Sequence, residues 1–169
     1  MLATKIHPHT EDGDAFSPVA EDLHPHGEDP DVPPPETIEG LSEELDRLGR
    51  KLYDAALVLR RVSGRFEGSD HEDEYGTLRA AAKLSGRSHH RLQEATNALQ
   101  RENTEGIGWR MDEVSLPVQN ANALLVDWMG GHPSDRAQDL SGSIYTAAWT
   151  LDYVAKRLHF LVDADLPLD

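Results

Sequence analysis

Apolar residues recur at alternating steps of three and four along four separate stretches of the chain. This spacing keeps one apolar side chain per turn on a single helix face, so it predicts four amphipathic helices. The predicted helices cover residues 37–66, 75–103, 107–129 and 134–163. Because short connections separate them, neighbouring helices are expected to be antiparallel. The pattern predicts an all-α fold, an antiparallel up-and-down four-helix bundle over residues 36–165.

The last predicted helix is apolar on two faces, unlike the other three. Its aliphatic row consists of Leu140, Ile144, Ala147, Leu151, Val154, Leu158 and Leu161. Its four aromatic residues, Tyr145, Trp149, Tyr153 and Phe160, lie nearly opposite that row at about 100° per residue. A helix with one apolar face needs one neighbour, whereas this helix needs two.

Three arrangements would cover the aromatic face of the last helix. It forms an interface with a second copy or another protein, in which buried Tyr and Trp supply much of the binding free energy. Alternatively, the first and third helices enclose it from both sides. In the third arrangement Pro33–Pro35 folds back onto the rings, as proline segments do on aromatic grooves. The sequence leaves all three open, and the four aromatic residues are the candidate interface.

Pro117 lies inside the apolar row of the third predicted helix. Proline removes a backbone donor and clashes with the preceding turn, at a cost of about 3 kcal/mol in a helix interior. Either the helix kinks at Pro117, or a turn ends near Val114 and Ser115 caps a new helix. The unbroken spacing favours a kink.

A basic stripe runs along the outside of the second predicted helix. Arg79, Lys83, Arg87 and Arg91 repeat every four residues, and like charges at this spacing slightly destabilise a helix. We expect acids of neighbouring helices to pair with the stripe. The alternative is that the acidic N-terminal arm, or an acidic partner, lies on it. On the inward side, His89 is expected to be a hydrogen-bonded residue at the core boundary.

Charge and composition set residues 1–35 apart as a disordered acidic arm. The chain has a net charge of −15, and its first 36 residues hold nine acids against one lysine. Few bulky apolar residues occur there, so burial cannot offset the entropy of ordering. His7, His9, His24 and His26 form two His-Pro-His motifs beside carboxylates, which suit a divalent metal. We favour a solvated arm over a metal site, because structural sites use ligands on ordered elements.

The remaining composition narrows the function classes. The absence of cysteine excludes disulfides, thiolate metal sites and cysteine nucleophiles. No haem, P-loop, di-metal carboxylate or serine-nucleophile motif occurs, so we expect no enzyme and no cofactor. The acidic balance argues against direct binding of nucleic acid or anionic membranes. No signal peptide or apolar run of about 18 residues is present, and a cytoplasmic location is expected.

These observations favour a non-enzymatic helical interaction or adaptor protein that self-associates or docks a protein partner through the aromatic face. The alternative is an acidic decoy or inhibitor that occupies a basic site of a nucleic-acid-handling protein. Such a decoy would present acids of the arm or of the loop after the first helix, namely Asp70, Glu72, Asp73 and Glu74.

Overall fold

The computed structural model describes residues 28–68, 70, 72–130 and 141–168. Its helices are α1 (Ile38–Gly64), α2 (Glu72–Leu99), α3 (Ile107–Gly130) and α4 (Ser141–Asp163). Each helix packs against the next, and α4 also packs against α1. No strand occurs within the described ranges. The predicted four-helix bundle is therefore confirmed.

Local chemistry explains where the helices begin and end. Thr37 has an extended backbone, and its side-chain hydroxyl accepts a hydrogen bond from the Gly40 N–H at 3.1 Å, so it caps α1. α2 begins three residues earlier than predicted, since Glu72 and the two acids after it are favourable at a helix N-terminus. It ends at Leu99, shortly before Glu102, whose φ of 58° is incompatible with a continuing helix. The predicted start of the last helix, residues 134–140, lies outside the described ranges.

The apolar rows of the four helices meet in one core. Leu45, Leu48, Leu52 and Leu59 of α1 and Ile144, Leu151, Val154 and Leu158 of α4 are fully buried. α2 lies close to α1 at Gly49, where a Cβ would be in ordinary van der Waals contact with His89 Nδ1 at 3.6 Å. That nitrogen is 2.9 Å from the Gly49 carbonyl oxygen, and the His89 ring lies 5.2 Å from the Tyr53 ring. His89 thus occupies the core boundary with a hydrogen-bond partner.

α3 continues without a break through Pro117. The alternative in which a turn ends near Val114 and a second helix follows is therefore wrong. Val114 and Val118 on either side of the proline are fully buried, so burial of the continuous apolar row offsets the missing backbone hydrogen bond. None of the helices in the described ranges has the length and apolarity needed to cross a membrane.

Replacing Pro117 should stabilise the bundle. Pro117→Ala restores a backbone donor to the Glu113 carbonyl and removes a clash, which together stabilise the helix by about 3 kcal/mol. It also raises the conformational entropy of the unfolded chain, which lowers the free energy of unfolding by about 1 kcal/mol. We expect the free energy of unfolding in urea to rise by about 1–2 kcal/mol. Asn120→Ala, at an exposed position of the same helix, should change it by less than about 0.5 kcal/mol. A lower stability of Pro117→Ala would show that α3 needs the proline for its shape.

Candidate interaction site

Residues 28–35 form a strap that is held against the bundle by Arg157 of α4. Arg157 Nη1 donates to the Pro30 carbonyl at 3.0 Å and to the Val32 carbonyl, and Nη2 donates to the Pro33 carbonyl at 3.4 Å. This part of the chain was predicted to be disordered, and the structure differs there. The prediction counted apolar burial alone, whereas charge-assisted bonds to backbone carbonyls hold the strap. Residues 1–27 of the predicted arm lie outside the described ranges.

Arg157 is a buried cation with acceptors for four of its five N–H groups. Its side chain is only 3% exposed, and Nε donates to Glu44 Oε1 of α1 at 2.8 Å. The guanidinium carbon lies 5.4 Å from the centre of the Phe160 ring. A buried charge is tolerated when it is paired and hydrogen-bonded. Arg157 therefore joins α4, α1 and the strap at one point.

A second set of charges fixes the other end of the strap. Glu28 lies 3.0 Å from Arg47 and 3.1 Å from Lys51, both on α1. Arg47 also pairs with Glu44 at 3.1 Å and donates to the Tyr153 hydroxyl at 2.7 Å. Both cations stand over the Tyr153 ring, at 5.7 and 5.6 Å from its centre. As a result, Tyr153 is only 6% exposed.

The groups of this network keep fixed charges at neutral pH. Burial alone would raise the pKa of Glu44, but hydrogen bonds from Arg47 and Arg157 outweigh it and lower the pKa. The pKa of Glu28 is likewise lowered, because Lys51 and Arg47 outweigh its burial. Burial raises the pKa of Tyr153, and the pKa of Arg47 is raised because Glu44 and Tyr153 outweigh its burial. The network therefore suits anchoring rather than proton transfer near neutral pH.

The four predicted interface residues do not form one surface. Tyr153 is covered by Arg47 and Lys51, and Phe160 is half-buried beside Arg157. Tyr145 and Trp149, one turn apart at the start of α4, are 50% and 49% exposed. The strap occupies one part of the aromatic face and leaves the other part open.

The structure adds three residues of α3 that the sequence analysis missed. Trp109, Leu116 and Val126 are 52–63% exposed. Together with Tyr145 and Trp149 they are five of the seven exposed large apolar residues in the described ranges, and we call them the α3–α4 surface. Their signal was in the sequence, because Trp109, Leu116 and Ala123 are spaced by one heptad and form a second row on α3.

A groove runs between the outer faces of α3 and α4. It has a volume of about 420 Å³. It is lined by Gln119, Asn122, Ala123, Val126 and Asp127 of α3 and by Asp152, Ala155, Lys156 and His159 of α4. Asp152 lies three residues after Trp149, so the groove extends the exposed aromatic pair with a mixed apolar and polar floor.

The predicted basic stripe is exposed along its whole length. Arg91 pairs with Glu113 of α3 at 3.7 Å, as expected for compensation by a neighbouring helix. Arg79 donates to the Tyr75 hydroxyl and stands 5.4 Å from the centre of that ring. Lys83 and Arg87 have no ion pair with any described residue. Pairing within the bundle therefore accounts for only part of the stripe.

The candidate metal ligands His7, His9, His24 and His26 lie outside the described residues. Within the described ranges no group of three His, Cys, Asp or Glu side chains is placed to hold a metal ion. Comparisons with protein-family models, with curated proteins and with solved structures gave no match.

Removing the buried cation should release the strap. Arg157→Met keeps apolar volume but leaves Glu44 without one partner and three strap carbonyls without donors. We expect the free energy of unfolding to fall by about 3 kcal/mol, and we expect proteases to cleave within residues 28–35. Lys156→Met is the matched control, because Lys156 is exposed and pairs only with Asp152; its effect should stay below about 1 kcal/mol. An intact, protease-resistant strap in Arg157→Met would contradict the anchoring role.

The lowered pKa values of Glu44 and Glu28 predict an acid-sensitive anchor. A carboxylate whose pKa is lower in the folded chain stabilises the fold above its unfolded pKa, 4.5 for Glu, and this contribution is lost as the pH falls through the folded pKa. Urea titrations should therefore show Glu44→Gln to be less stable than wild type at pH 7, with the difference shrinking below about pH 4.5. Glu43→Gln, at the exposed neighbouring acid, serves as control. A constant difference between pH 3 and pH 7 would contradict the assignment.

Proposed function

We propose that the protein is a non-enzymatic helical interaction module that docks a second copy of itself through the α3–α4 surface. The observation that carries this proposal is the concentration of five of the seven exposed large apolar residues on two adjacent helices. Exposed apolar patches rimmed by polar residues often mark protein–protein contact sites. Tyr145, Trp149 and Trp109 are also of the residue types that most often dominate binding free energy.

The composition of the α3–α4 groove fits an interface. Its apolar floor includes Val126, Ala123 and Ala155, while Asp152 and Lys156 pair with each other at 2.6 Å beside it. Protein interfaces commonly combine an apolar centre with a polar rim. Because Asp152 and Lys156 already pair with each other, docking over them would desolvate an ion pair and not two separate charges.

A second copy is the occupant that the geometry favours. α3 and α4 are antiparallel neighbours, with exposed apolar residues from Trp109 to Val126 on α3 and near the start of α4. Two copies related by a two-fold axis would bury the same residues on both sides. Two chains of −15 repel each other at long range. An apolar contact is the type that provides attraction against such repulsion, since it does not depend on charge.

Substitution of one surface tyrosine should separate docking from folding. Tyr145→Asp places a charge in the proposed interface, and we expect sedimentation velocity to show the dimer dissociation constant raised by at least about 30-fold, as for a hot spot of 2 kcal/mol. Helical circular dichroism should be unchanged because the residue is half-exposed. Tyr53→Asp is the matched control: Tyr53 is 47% exposed but lies on α1, outside the surface.

The same measurement at low and high salt distinguishes the second candidate, the acidic decoy. It is supported by the exposure of Asp70, Glu72 and Asp73 around the start of α2. Capture of a basic partner would weaken steeply with salt, whereas dimerisation through apolar contacts would not. A monomer at both ionic strengths, or a dimer unaffected by Tyr145→Asp, would contradict docking through the α3–α4 surface.

A further inference from the structure

A cationic groove lies between α1 and α2, near the end of α1. It has a volume of about 440 Å³ and is lined by Arg60, Arg79 and Lys83, with Glu67 as its one acid. Arg60 reaches across α2, since a Cβ at Gly86 would lie 3.6 Å from its Nη2. The next turn of α2 adds Arg87. We call Arg60, Arg79, Lys83 and Arg87 the cationic groove.

Most cations of this groove have no ion pair within the described part of the chain, although Glu67 lies in its lining. Arg60, Lys83 and Arg87 have no ion pair there, and Arg79 bonds only to the hydroxyl of Tyr75. Several cations elsewhere in the described ranges do have acidic partners. Arg157 and Arg47 both form ion pairs with Glu44. The other ion pairs are Lys51 with Glu28, Arg50 with Asp46 and Lys156 with Asp152. In a chain with a net charge of −15, a cluster of unpaired cations indicates a site for an acidic ligand.

The path of the strap identifies an acidic segment that can reach the groove. Pro33 of the strap lies beside Arg157, and Glu28 lies between Arg47 and Lys51 of α1. Followed towards its N-terminus, the strap therefore runs along α1 towards the end that carries Arg60. Lys51 and Arg60 are nine residues apart on α1, or about 14 Å at 1.5 Å per residue. Nine residues at 100° each place Arg60 on the opposite side of α1 from Lys51, so the chain before Glu28 has to pass around α1 to reach the groove.

The segment before Glu28 has the charge and the length to occupy the groove. Residues 1–27 contain five acids, Glu11, Asp12, Asp14, Glu21 and Asp22, against Lys5. Glu21 is seven residues before Glu28, and an extended chain of that length spans at most about 25 Å. Half the circumference of a helix about 10 Å wide is about 16 Å, so the path that combines this with the 14 Å along α1 is about 21 Å long and lies within that reach. A tethered segment also acts at an effective concentration in the millimolar range, whereas a free anion must approach a chain of like overall charge.

We propose that the cationic groove binds the carboxylates of the chain's own N-terminal segment, with Glu21 and Asp22 as the nearest ligands. The groove is then an intramolecular docking site for an acidic peptide, on the α1–α2 side of the bundle. It is separate from the α3–α4 surface, so the two proposals stand or fall independently.

The absence of cysteine permits a direct test on the full chain. A spin label on Ala20→Cys, next to Glu21, is expected to broaden the amide signals of residues 60–64 and 75–83 in ¹⁵N-labelled protein, and to leave those of residues 119–127 on α3 sharp. Raising the salt to about 1 M, where the Debye length is about 3 Å, should remove the selective broadening.

A matched pair of charge reversals completes the test. Lys83→Glu should reduce the broadening at residues 75–83 by about two- to fivefold, the range expected for surface ion pairs. Arg101→Glu makes the same change in net charge at an exposed position beyond the end of α2 and should have no effect. Thermal melts of both variants verify that the bundle is intact.

Three outcomes would overturn the proposal. The first is equal broadening on α2 and α3, and the second is equal broadening in Lys83→Glu and Arg101→Glu. The third would come from a mixture of two proteins, the spin-labelled Ala20→Cys variant at natural isotope abundance and the ¹⁵N-labelled wild-type chain, which has no cysteine. Selective broadening of residues 75–83 in that mixture would show that the segment docks on another copy rather than on its own bundle.

Discussion

Arg157 carries a positive charge into a position where water reaches only 3% of its side chain. Such a charge persists only if its surroundings supply acceptors, and here they come from three parts of the chain: Glu44 of α1, three carbonyls of the strap, and the face of Phe160. The register of α4 against α1 and the position of residues 28–35 thus depend on the same guanidinium. The separation of a covered from an open aromatic region on α4 follows from it.

That separation decides which faces of the bundle are left for other molecules. With Tyr153 enclosed by Arg47 and Lys51, the exposed aromatic residues of α4 are confined to its first two turns, next to the outer row of α3. The opposite pair of helices, α1 and α2, carries the cationic groove, in which Arg60, Lys83 and Arg87 have no ion pair with any described residue. The bundle therefore presents exposed apolar residues on one side and a cationic groove on another, although its overall charge is strongly negative.

Periodicity predicted the architecture because each helix of a bundle must bury a row of apolar residues, and Leu45, Leu48, Leu52 and their equivalents record that requirement directly. The site was less accessible. Arg157 reads as an ordinary basic residue, because its partners Val32 and Pro33 lie more than 120 residues away in sequence. α2 begins at Glu72 and not at residue 75, because its first-turn acids stabilise the helix N-terminus. The outer row of α3, Trp109, Leu116 and Ala123, has the spacing of a helix face, but the apolar core row of the same helix gives the stronger periodic signal.

The strap is held through backbone oxygens, which every residue type possesses. Arg157 therefore imposes almost no identity on positions 30–33 beyond a backbone path that turns at residues 30 and 31. Those positions can therefore be substituted, for example by the sequence of a short peptide tag, as long as the number of residues between Glu28 and Pro33 is unchanged. The attachment of the strap to the bundle is therefore fixed, while the side chains at these positions can vary.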